Sequence, residues 1–175
     1  MVVQGRGGAQ ALVGLAAALV LAGCGATIPS DPEGTLDRVT GGTLAVGVSL
    51  DEPWVVLEPG PTSDDVRPAG IGLQPAGIEV ELVEELATRL DAEVEWTVGG
   101  EGSLIASLEE GDLDLVVGGL TSTSPWSQKA ALTAAFATVR GPRGEDELHV
   151  WAAPMGENAF LVEVDRFLLE HRERG

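Results

Sequence analysis

The residues best placed to do chemistry in this 175-residue chain are small and hydroxylic, and they form one run, Gly118-Gly119-Leu120-Thr121-Ser122-Thr123-Ser124. They follow directly on an apolar stretch, 113–117, that reads as a buried strand. Glycines let the backbone pass close to a solute, and threonine and serine hydroxyls donate and accept hydrogen bonds. Loops at the carboxyl ends of strands are where open α/β sheets hold their ligands. An ordinary strand-to-helix turn looks the same, so the rest of the chain must decide.

Catalysis has less to work with. His149 falls in a strand and His171 in the last helix, and neither has a nucleophile beside it. The sequence shows no His/Cys cluster with metal-ligand spacing and no phosphate-loop pattern, so no cofactor, no metal and no enzyme activity are expected. The carboxylates lie mostly on helix faces, where solvation accounts for them.

The elements that would position the hydroxyl loop follow from periodicity. Residues 43–49 (TLAVGVS) form a short strand closed by Asp51-Glu52-Pro53, and Trp54 comes straight after it, more suited to capping the core than to walling a site. Residues 58–76 read as a long Pro/Gly/Asp-rich loop. Ile78, Leu82, Leu86 and Leu90 make an amphipathic helix with Glu79, Glu81, Glu84, Glu85 and Arg89 on its polar face, and Glu85 and Arg89 form an i,i+4 pair. A strand at 92–98, a helix at 103–110 stopped by Gly111, the strand at 113–117 and a helix start near Pro125 follow. Beyond these lie a run at 134–139, a polar turn at 140–147 and a strand at 148–153. The last helix buries Phe160, Leu161, Val164, Phe167 and Leu168, with Asn158 as its N-cap. The order β, loop, α, β, α, β implies a mostly parallel sheet with right-handed crossovers.

At the other end, an apolar run at 11–21 ends in Leu21-Ala22-Gly23-Cys24. It is too short to span a bilayer and reads as a secretory signal. Leu-Ala-Gly-Cys resembles a lipobox, which makes residues 1–23 a lipoprotein signal peptide and Cys24 the lipidated amino terminus. As the chain's sole cysteine, Cys24 leaves no possibility of an internal disulfide. Residues 24–42, polar and Pro/Gly-bearing, read as a tether. Removal of residues 1–23 takes away one charge, Arg6, so the net charge goes from −18 to −18 − 1 = −19. So acidic a chain is unsuited to nucleic acid and to electrostatic adhesion on anionic lipid. The remaining length suits one domain, 43–175.

GTLAVGVSLDEPWVVL, the IEVELVEELATRL helix, SLIASLEEGDLDLVVGGLTST and the closing HVWAAPMGENAFLVEVDRFL together resemble the periplasmic solute-binding proteins that serve amino-acid ABC importers. The resemblance implies a type II periplasmic-binding-protein fold, α/β, with helices on both faces of a mostly parallel sheet. It also implies that only one three-layer lobe is present, since the two strands through which the family inserts a second lobe are here joined by the short polar segment between about 139 and 148. By position, the family's ligand contacts fall on Asp51, Trp54, Gly118, Gly119, Thr121, Thr123 and Trp126. Trp126 stands where amino-acid binders carry an arginine that grips the ligand carboxylate, and the nearest base is Lys129. The implied protein is extracytoplasmic and lipid-anchored, with a small polar solute as ligand and an ABC permease or a second copy as partner. The competing reading is a degenerate lobe used as a cell-surface interaction module, with Trp54 and Trp126 packed on a protein.

Overall fold

A computed structural model describes residues 30–60 and 72–174; the expected signal peptide at 1–23, Cys24 and the middle of the 58–76 segment lie outside the described residues. The elements are α1 (Thr35–Val39), β1 (Thr43–Val48), β2 (Val56–Pro59), β3 (Leu73–Ala76), α2 (Ile78–Leu90), β4 (Glu93–Val98), α3 (Glu101–Glu110), β5 (Leu115–Val117), a 3-10 turn (Pro125–Gln128), β6 (Ala131–Leu132), β7 (Ala137–Arg140), β8 (Asp146–His149), β9 (Ala152–Ala153) and α4 (Asn158–Arg174).

The central sheet runs β4-β1-β5-β9-β6. β1 pairs parallel with β4 and β5, β9 runs antiparallel to β5, and β6 runs antiparallel to β9 and so restores the common direction. The sheet is therefore mainly parallel, as the element order implied. Side-chain alternation divides the core between its faces. Leu44, Val46 and Val48 of β1 and Leu115 and Val117 of β5 pack with α1, α2 and α4. Val116 and Ala152 meet Leu104, Ile105 and Leu108 of α3 on the other face. A Cβ at Gly47 would run into Leu104 and Leu113, so the α3 side of β1 needs its small residue. The result is a three-layer α/β lobe.

Several local expectations are corrected. The tether at 24–42 is too long, because within 30–42 Thr35 and Val39 of α1 are buried in the lobe. The long loop at 58–76 carries at its ends the antiparallel pair β2 and β3, in which Pro75 and Pro59 hid the strand pattern. No α-helix starts at Pro125; one 3-10 turn forms and β6 follows it at once. The strand at 148–153 is two strands, β8 and β9, divided at Val150 and Trp151. β7 and β8 form a separate antiparallel ribbon closed over residues 141–145. Asn158 is not the cap of α4: Asp31 Oδ1 accepts from the N–H groups of Ala159 and Phe160, both at 3.0 Å. The Glu85–Arg89 pair gives way to contacts between helices, with Arg89 on Glu163 at 2.9 Å and Glu170 at 2.8 Å.

Candidate functional site

Parallel strands deliver their following loops to one end of the sheet. At the carboxyl edge lie residues 49–55 after β1, Gly99 and Gly100 after β4, and the run from Gly118 to Thr123 after β5. The antiparallel strand β9 brings Trp151 to the same edge from below, and an isolated bridge between Thr121 and His149 ties in the end of β8.

Gly118 and Gly119 have φ of 130° and 72°, in the region that side chains disfavour. They are also crowded: a Cβ at Gly118 would strike the Ser49 carbonyl, and one at Gly119 would strike the Asp51 carboxylate. Their N–H groups converge on one anion, since Glu79 Oε2 accepts from Gly118 at 2.5 Å and from Gly119 at 3.1 Å. Consecutive amides curled around an oxygen form an anion nest, and here the anion is internal. These two glycines therefore shape the loop, and the N–H groups expected to face a ligand are already engaged.

Glu79 is the functional candidate that periodicity misplaces. Periodicity puts it on the solvent face of the helix, yet it is fully buried, while Ile78, which the same pattern puts in the core, is 47 % exposed. The face that enters the core carries Val80, Leu82, Val83, Leu86, Ala87 and Leu90, with the Glu79 carboxylate at its head. The signal available in the sequence was the acidic residue that begins an otherwise apolar row. Burial pushes the Glu79 carboxyl up to about 7, the two glycine amides pull it down, nearby Asp51 pushes it up again, and the Trp151 indole draws it slightly down. Glu79 Oε1 and Trp151 Nε1 are nevertheless buried without a hydrogen-bond partner.

The other site residues divide in two. Thr121 and Thr123 place their hydroxyls 3.0 Å apart on the open side of the loop, and Asp51 is exposed above Gly119. Trp54 and Trp126 are occupied. Trp54 is 9 % exposed and lies on His149 with ring centroids 4.0 Å apart. Trp126 packs on the α3 layer and donates its indole N–H to Glu101 at 2.8 Å, which fastens the loop to the start of α3. His149 is buried with its Nδ1 unpartnered, and burial holds its pKa below the usual value against the pull of Glu147 and Asp51. Lys129 pairs with Glu109 at 2.9 Å, away from the hydroxyl pair.

A cleft of about 350 Å³ opens at the opposite, amino edge. Most of its charged groups are engaged within the fold: Arg38 sits on buried Asp114, Lys129 on Glu109, and Glu157 accepts from the Glu33 and Thr35 amides. Among the described residues no group of His, Cys, Asp and Glu has the arrangement of a metal site. No helix among them is long and apolar enough to cross a membrane.

The chain is thus a single, mainly parallel α/β lobe with a hydroxyl loop and an exposed carboxylate at the carboxyl edge of its sheet. The sequence profile of the bacterial extracellular solute-binding proteins, family 3, matches residues 62–175, and the chain belongs to that family. No curated protein matches by sequence. Among solved structures, the arginine-bound form of domain 1 from TmArgBP, of T. maritima, superposes with a TM-score of 0.61 at 23 % identity, over 77 % of this chain and 97 % of that one. The amino acid ABC transporter substrate-binding protein AbpA from Streptococcus pneumoniae, bound to L-arginine, gives 0.63 at 13 % identity, over 82 % and 93 %. An ancestral cyclohexadienyl dehydratase gives 0.65 at 16 % identity, over 85 % and 94 %. At these identities the likeness is one of fold.

Proposed function

We propose that the chain binds a small amino-acid-like solute with a cationic end at the carboxyl edge of its sheet, and does no chemistry on it. The observation that carries this reading is the exposed Asp51 carboxylate over Gly119, with the Thr121 and Thr123 hydroxyls following on the same loop. Basic side chains are committed elsewhere: Arg38 to Asp114, Arg89 to Glu163 and Glu170, Lys129 to Glu109, Arg166 to Glu163. An ammonium or guanidinium group of the solute meets Asp51, and its polar end meets the threonines. Gly118 and Gly119 support the loop from beneath, Trp54 stiffens it through His149, and Trp126 flanks it. The arginine-bound domain 1 from TmArgBP is a precedent for one lobe holding a solute.

Most small-molecule sites enclose about 70–90 % of the ligand, and an open edge encloses less, so the dissociation constant falls in the high micromolar range or above. The chain is further proposed to be tethered by lipid at Cys24 outside the cytoplasm and to hand its solute to an ABC permease. Family membership and the lipobox-like Leu21-Ala22-Gly23-Cys24 support this. A second reading, a protein-docking module, draws on Leu50 and Val98, which are 52 % and 48 % exposed at the same edge.

Titration calorimetry and thermal unfolding with L-arginine, L-lysine, L-glutamine and L-glutamate to millimolar concentration separate the two readings. L-Arginine or L-lysine raises the melting temperature and L-glutamate does not; one hundred times the dissociation constant is worth about 2.7 kcal/mol. Asp51→Asn weakens binding at least tenfold, and Thr121→Ala costs about 1 kcal/mol, roughly fivefold. Stabilisation by none of the four overturns the solute reading.

A further inference from the structure

The group at this edge that solute recognition does not use is the buried carboxylate of Glu79. It lies at the head of α2, with its own N–H on the Trp54 carbonyl at 3.1 Å and its Oε2 on both glycine amides. The packing around it is specific. From the β1–β2 segment Asp51 bears on it electrostatically; from the end of β5 come the Gly118 and Gly119 amides; from the start of β9 comes the Trp151 indole. From β8 the nearest titratable group is His149, whose ring lies on Trp54 and which Asp51 also influences. The turn that Glu79 fastens leads into Thr121 and Thr123, and Gly119 forms the floor beneath Asp51.

We propose that Glu79 is a positioning residue for the solute edge and that it links solute binding to a proton: the ionised carboxylate holds the Gly118–Gly119 turn in the shape the solute needs, and protonation releases it. This rests on the reading of the edge as a solute site. Two physical effects act in the same direction. Protonating Oε2 or its neighbour weakens a charge-assisted pair of N–H···O bonds and loosens the turn. A cation arriving at Asp51 cancels the like charge that raises the proton affinity of Glu79, so binding drives Glu79 towards the ionised form. Whatever expels a proton on binding binds more tightly as pH rises. Burial places the free carboxyl at about 7, so the linkage falls in the neutral range.

The test uses the folded chain in two measurements. In ¹⁵N–¹H spectra from pH 5.5 to 8.5 the Gly118 and Gly119 amides titrate together with a midpoint near 7, and they stay still in Glu79→Gln. In calorimetry with L-arginine the dissociation constant rises between about two- and fivefold from pH 8 to pH 6, the range for a binding-induced pKa change of about half a unit to one unit, and is flat in Glu79→Gln. Asp51→Asn leaves Glu79 in place and moves the glycine midpoint down, which serves if Glu79→Gln fails to fold. Glycine amides that do not titrate in the wild-type chain overturn the proposal, as does a pH dependence that survives in Glu79→Gln. L-Arginine binding equal at pH 6 and 8 overturns the linkage alone, whereas no binding at either pH overturns the solute reading and the linkage with it.

Discussion

A single carboxylate illustrates how residue-scale accounting works in this protein. The Glu79 carboxyl is shifted from an ordinary 4.5 to about 7 because water cannot reach it. Between those pH values the folded chain keeps a proton that the unfolded chain has released, so stability falls as pH rises from about 4.5 to 7, by roughly 3 kcal/mol in all. Glu79→Gln removes this penalty, and its stability relative to wild type climbs between pH 5 and pH 8 in urea unfolding; a difference that stays flat would show that Glu79 does not ionise in that range. The family resemblance is what put Asp51, Thr121 and Thr123 among the candidates, and all three lie on loops at the carboxyl edge of the sheet. Periodicity misplaces Glu79 because Leu82, Leu86 and Leu90 are buried as the pattern predicts and only its first position is wrong, Glu79 entering the core where Ile78 is expected; burial of a charge is the less expected choice. Trp54 and Trp126 were legible as candidates, but only coordinates reveal that His149 and Glu101 already occupy them.

At the scale of elements, long periodic segments were readable and short ones were not. α2, α3 and α4 announce themselves through repeating apolar residues. β6 and β9 are two residues each and exist only because a neighbouring strand completes their hydrogen bonds. α1, at five residues, cannot nucleate by itself and depends on its packing and on Asp31, whose Oδ2 accepts from Leu36 N at 2.7 Å while Oδ1 caps α4. One carboxylate thus caps two helices that are far apart in sequence. Asp31→Ala is therefore expected to destabilise the lobe by about 1–3 kcal/mol and to lower the melting temperature by several degrees, with Asp31→Asn recovering part of it. A change within a few tenths of a kcal/mol would show that water replaces the cap.

For the whole molecule, charge sets the terms of association. A net charge of −18, with Asp51, Glu52 and Glu101 near the carboxyl edge, opposes face-to-face pairing of two copies. Sedimentation at low ionic strength is expected to give a monomer, and a dimer under those conditions would show that Leu50, Val98 and their surroundings outweigh the repulsion. The same segment that caps α4 also sets an order of events. Glu33 and Thr35 donate to Glu157 at 3.0 Å across separations of 124 and 122 residues, and Asp31 reaches Phe160 across 129. A chain emerging amino end first cannot complete these contacts until its last helix has arrived, so the lobe stays open for nearly the whole of its synthesis or passage through a pore and closes in a late step.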